Sequence, residues 1–135
     1  MIEQMKASIM KFVNVLDPSL TLYDEESNTN KIKSPSCYFN SPFASGSIFT
    51  KDEYANTFTM NILILHDTTN KAIELGNNII DEIMANKSRV YLYNKDGTIS
   101  DEYLQITELT CEESSEDSAR LQLIWSINKP FKEVN

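Results

Sequence analysis

Few residues in this chain could do acid–base, nucleophilic or metal chemistry, and they sit far apart. The one histidine, His66, stands beside Asp67 in "TFTMNILILHDTTNKAIELGNN", between an apolar strand-like run and a helix-like one. An imidazole can serve as a general base, but a metal site of the His-Asp type needs further histidines, and the chain has none. Asp67, with Thr68 and Thr69, also precedes the helix-like run, where a side-chain oxygen caps free amides. His66 and Asp67 therefore read as the corner where a strand hands over to a helix. Acids gather at Glu112, Glu113, Glu116 and Asp117, and again from Asp24 to Glu26. Neither group has the alternating ligands and central glycine of a calcium loop, so both read as solvated tips.

The nucleophile candidates fare no better. Cys37 and Cys111 match no CxxC spacing, which removes zinc-ribbon and thioredoxin chemistry and leaves two buried free thiols. Ser36 and Cys37 have no histidine nearby in sequence to activate them. Three scattered glycines cannot build a phosphate-cradling loop. On this reading the chain is not an enzyme, and it has no catalytic residue, no cofactor and no metal.

The elements that would carry these residues follow from composition and periodicity. A chain of 135 residues, 41% apolar, fits one domain over 1–135. A domain of that size buries roughly two-thirds of its unfolded surface. Twelve basic against twenty acidic residues give a net charge of −8, which repels phosphate backbones; "NKIKS" and "NKSR" are too thin for a basic patch. The start "MIEQMKASIMKF" carries acid early and is not a signal peptide. The longest wholly apolar run, Ile62 to Leu65, is far short of a membrane span. These features read as a soluble protein of a reducing compartment.

Ile2, Met5, Ile9, Phe12, Val13 and Leu16 recur at helical spacing until Asp17-Pro18 stops the helix. "SLTLYDEE" reads as a short strand, and Cys37 to Phe39 as another, bounded by Pro35 and Pro42. "ASG" reads as a turn, and the segment from Ser47 to Leu65 as one or two strands, the later part long and forming a projecting hairpin. There Phe58, Met60, Ile62 and Ile64 share one face. Leu63 and Leu65 make the far end apolar on both sides, so it should be central and covered. A second helix carries Ile73, Gly76, Ile80 and Ile83 on one stripe, flanked by Ala72, Leu75, Ile79 and Met84. Gly76 predicts a close approach to the sheet. "RVYLYN", a Lys95-Asp96-Gly97 turn, "DEYLQITEL", the acidic loop "CEESSEDSA" and "RLQLIWSINK" complete the chain as strands and turns. In the last strand Leu121, Leu123, Trp125 and Ile127 face one way. The order predicts an α+β fold, a largely antiparallel sheet with both helices on one face. Phe43, Ile48, Phe49 and Tyr54 are out of place among Ser, Gly, Asn and Pro: either these side chains fold back on the domain's own core or they mark a subunit or tube interface.

The wording of "KSPSCYFN", "EYANTFTMNILIL" and "TTNKAIELGNNIIDEI", in this order of elements, resembles the tail terminator (tail completion) proteins of long-tailed phages and phage-like particles. The resemblance spans nearly the whole chain. It implies a homo-oligomeric, hexameric ring at the neck end of a virion tail, assembled in the host cytoplasm. Such a ring caps the tail tube, stops its polymerisation and meets the head-tail connector or neck protein, with the sheath protein a further possible contact. DNA would pass only as cargo, and an acidic lumen would suit its sliding. Two alternatives belong to other classes: another neck, connector or tail-assembly protein, and a small cytoplasmic enzyme using His66 and Asp67.

Overall fold

The computed structural model describes residues 2–24, 35–48 and 53–130, with the backbone alone at 47–48, 53–55 and 128–130. The elements are α1 (Ile2–Leu16), β1 (Thr21–Asp24), β2 (Ser36–Phe39), β3 (Phe43–Ile48), β4 (Glu53–Leu65), α2 (Thr69–Ala85), β5 (Arg89–Tyr93), β6 (Ile99–Glu113) and β7 (Ser118–Pro130). The seven strands form one curled sheet in the order β1-β2-β4-β7-β6-β5, with β3 off this path beside the first half of β4, all antiparallel except for β1 beside β2. The expected α+β fold is met.

The β4–β7 pair carries the sheet. It runs unbroken from Glu53 opposite Pro130 to Leu65 opposite Ser118. Alternation puts Phe58, Met60, Ile62 and Ile64 on the same face as Ala119, Leu121, Leu123 and Trp125, and all eight are buried. Phe58 and Trp125 lie opposite each other and stack, with ring centroids 5.9 Å apart. Such a pair adds about 0.5–1.5 kcal/mol beyond its burial.

Both helices cover this face. From α1 come Met5, Ile9 and Val13, and with them Ser8, fully buried. The hydroxyl of Ser8 accepts the Tyr93 N–H at 2.9 Å, at a point where a register shift between Tyr91 and Tyr93 interrupts the β5–β6 ladder. A polar residue on the apolar stripe thus gives a β-bulge amide its partner. Helix α2 turns Ala72, Gly76, Ile79 and Ile83 inward, while Ile73 and Ile80 flank the contact and Met84 is exposed. The stripe expected from Ile73, Gly76, Ile80 and Ile83 is rotated by about one residue, because the two smallest residues, Ala72 and Gly76, face the sheet and let the helix approach. A methyl at Gly76 would collide with Cys111 Sγ and lie 3.2 Å from Ile64 Cδ1.

Three further expectations are corrected. Ala44-Ser45-Gly46 is not a turn but the middle of β3, paired with Phe58, Thr57 and Asn56, since ladder bonds override weak local propensity. Glu112 and Glu113 belong to β6, so the acidic turn shrinks to 114–117. Leu63 and Leu65 are half-buried: β4 is central, but among the described residues no element covers its outer face there.

Replacing Gly76 with alanine should destabilise the protein. The overpacking cost of about 1–3 kcal/mol exceeds the helix-propensity gain of about 1 kcal/mol. In a Cys111→Ala background the same change should be neutral or stabilising in urea denaturation. Equal losses in both backgrounds would show that the Gly76–Cys111 contact does not limit this site.

Candidate functional site

The His66 corner is made of local hydrogen bonds. His66 leaves β4, its backbone N–H donates to Asp117 O at 3.0 Å, and its Nδ1 accepts the Asp67 N–H at 2.8 Å. A neutral ring that accepts at Nδ1 carries its proton on Nε2 and keeps no free lone pair for general-base work. Thr68, in extended backbone, caps α2 by accepting the Lys71 N–H at 3.2 Å, so Thr68 and not Asp67 is the cap. The next hydroxyl, on Thr69, accepts the Asp117 N–H at 3.0 Å, which ties the corner to the β6–β7 turn. The Asp67 carboxylate lies 3.7 Å from the Lys71 ammonium, both more than half exposed, where such a pair contributes little.

The other candidates stay apart. Glu112 faces Arg120 across the β6–β7 ladder and pairs with its guanidinium. Glu113 ends the same strand, and Glu116 and Asp117 form the turn. Among the described residues no group of three or more His, Cys, Asp or Glu side chains converges as a metal site. Glu25 and Glu26 fall outside the described residues. Both cysteines are free thiols. Cys37 is fully buried and its thiol is pushed up to about 12, chiefly by burial and then by the charge of Asp17. The Cys111 thiol, half-buried under α2, is also raised, first by burial and then by Glu112. Thiols held protonated are poor nucleophiles.

What the fold leaves incomplete is backbone. Strand β6 pairs with β5 as far as Gln105 and with β7 from Ile106 onward. The hand-over is fixed by the turn after α2: Ile106 N–H donates to Ser88 O at 2.8 Å, the Ser88 hydroxyl donates to Ile106 O at 2.6 Å, and the Gln105 amide reaches Lys87 O and Ser88 O at 3.1 Å. Past Trp125, β7 therefore pairs with β4 alone among the described residues. Together β3, the first half of β4 and the end of β7 make a three-stranded arm. At its root opens a cavity of about 430 Å³, lined by Met5, Leu92, Leu104, Trp125 and Ile127. Trp125 is fully buried, and its indole N–H has no hydrogen-bond partner.

Of the expected interface residues, Phe43 opens the arm's edge strand and is 56% exposed. Ile48 and Tyr54 face each other across the hairpin, by backbone register. Their side chains, and Phe49 entirely, lie outside the described residues. The seam between β6 and β7 had no sequence signal, because periodicity gives faces but not neighbours.

No protein-family model matches the chain, and no curated protein matches it either. Solved structures do. A chain described as "Virion of native gene transfer agent (GTA) particle" is similar at a TM-score of 0.54, over 95% of this chain and 96% of that one. Identity is 9%, so the likeness is one of fold. A second structure, at a TM-score of 0.46 and 5% identity, carries no argument.

Two outcomes are expected here. Replacing His66 with alanine should leave thermal unfolding and self-association within error of the parent, whereas loss of an activity with the fold intact would make the corner catalytic. Because Cys37 is raised from 9.0 to about 12, the native state holds its proton where the unfolded state has lost it. Stability should therefore fall as pH rises from about 9 towards 12. Urea denaturation across that range, with Cys37→Ala as the control showing a smaller decline because only the raised Cys111 thiol remains, checks the sign.

Proposed function

We propose that this chain is a structural protein of a phage-like virion, a tail terminator that forms a hexameric ring on the end of the tail tube. There it stops tube growth and meets the head-tail connector or neck protein. The observation that carries the proposal is the match of fold to a virion chain over nearly the full length of both. It agrees with the resemblance read from "KSPSCYFN", "EYANTFTMNILIL" and "TTNKAIELGNNIIDEI". The arm supplies a physical means: an extended strand pair with an exposed aromatic, Phe43, is suited to head-to-tail contacts that close by rotation. Phe43, Ile48, Phe49 and Tyr54 are the proposed subunit or tube contacts.

Negative-stain imaging of the purified protein mixed with polymerising tail-tube protein tests this. Tubes should be shorter and carry density at one end. Phe43→Ser should keep the fold, read by circular dichroism, and lower the fraction of capped tubes several-fold. Tubes of unchanged length without end density would overturn the terminator role in favour of another neck or assembly role.

A further inference from the structure

The arm has two open edges, one on each side of β4. Among the described residues, strand β3 pairs with β4 alone, and β7 beyond Trp125 also pairs with β4 alone. Each edge presents a row of backbone N–H and C=O groups, a template for another strand. Proteins that stay monomeric guard such edges with lysine, an internal proline or an inward charge. Strand β3 reads Phe-Ala-Ser-Gly-Ser-Ile and has none of these. The open stretch of β7, Ser126-Ile127-Asn128-Lys129-Pro130, is uncharged over its first three residues and carries its lysine and proline only at the tip. It starts beside the cavity that Trp125 lines, and the buried indole N–H of Trp125 has no partner.

We infer that neighbouring copies of this chain join edge to edge, β3 of one copy pairing with the open edge of β7 in the next. The inference rests on the ring reading above and names the surface that closes the ring. A second copy is the occupant because one chain carries both halves of the joint. A chain of net charge −8 repels its copies over most of its surface, and the facing stretches Phe43 to Ile48 and Ser126 to Asn128 carry no charge that would oppose the contact. Direction follows from topology. Both β3 and β7 run antiparallel to β4, so they run the same way. Rotation about an axis along the arm preserves direction and height, which makes the joint parallel and sets Ser45 of one copy beside Ser126 of the next. Repetition adds three strands per copy to one continuous sheet that closes on itself without edges.

The test is an engineered disulfide. Within one copy, Ser45 and Ser126 flank Thr57 on either side. They are two strand spacings apart, about 9–10 Å. Disulfides need Cα atoms within about 6.8 Å, so a bond between these positions forms only between copies. The full chain carrying Ser45→Cys and Ser126→Cys, oxidised at high concentration, should give a ladder of covalent multimers on a non-reducing gel. Phe43→Cys with Ser126→Cys samples the adjacent register, variants with only one of these substitutions should stop at dimers, and the parent, whose Cys37 and Cys111 are free thiols, should give no ladder. Protein that sediments as rings or caps tubes, yet gives no ladder with either pair, would overturn the edge joint and leave the terminator reading standing. A ladder without tube capping would do the reverse. Protein that stays monomeric and uncross-linked at the highest attainable concentration would also overturn the joint.

Discussion

Everything else in this fold hangs on the thirteen-residue register between β4 and β7. Side chains alternate along a strand, so a slip of one residue would send Phe58, Met60, Ile62 and Ile64 to the outer face and bring Thr57, Thr59 and Asn61 into the core. The apolar alternation on both strands forbids that. The outer face is held in the same register by polar pairs: Thr57 with Ser126 at 3.1 Å, and the Gln122 amide donating to Asn61 Oδ1 at 3.0 Å. The helices cover only part of the ladder's length, so one continuous interaction yields the core at one end and the arm at the other.

The limit of the core is set by β6. Lys87 and Ser88 adopt left-handed backbone after α2, and Ser88 then holds Ile106 at the point where β6 changes partners. At the bulge that follows, the Thr107 hydroxyl donates to Ile124 O at 3.0 Å, which satisfies a carbonyl the shifted ladder leaves over. Curling β6 away from β7 lets β5 close over α1, where Val90 and Leu92 are buried. The cost of that closure is the open edge beyond Trp125.

Much of this was legible in the sequence, and the failures have physical causes. The α1 span, the buried faces of β4 and β7 and the tight contact at Gly76 follow from periodicity and residue size, which local sequence records. Gly97 likewise marked its hairpin through a backbone angle, φ +87°, that favours glycine. Ala44-Ser45-Gly46 was misread because its strand is imposed by β4 and not by its own propensity. Ser8 was passed over because its partner, the amide of Tyr93, is distant in sequence. The β6 hand-over depends on strand order, on which hydrophobic alternation is silent. Among the site candidates, the His66 corner was readable, although its cap falls to Thr68.

These same features bear on the assembly role proposed above. Function needs groups that the fold leaves unfinished. At the His66 corner the ring nitrogen, the threonine hydroxyls and the Asp117 amide and carbonyl already serve one another. Cys37 is sealed in the core. Among the described residues, what remains open in the arm is its two strand edges and, at its root, the buried Trp125 indole N–H. Backbone edges recognise other strands and little else, and they gain most when a sheet closes, because closure satisfies every edge at once. In the ring proposed above, the opposite open edges of the arm would complete one another between copies, so that the unpaired backbone groups are satisfied by the same strands that close the sheet.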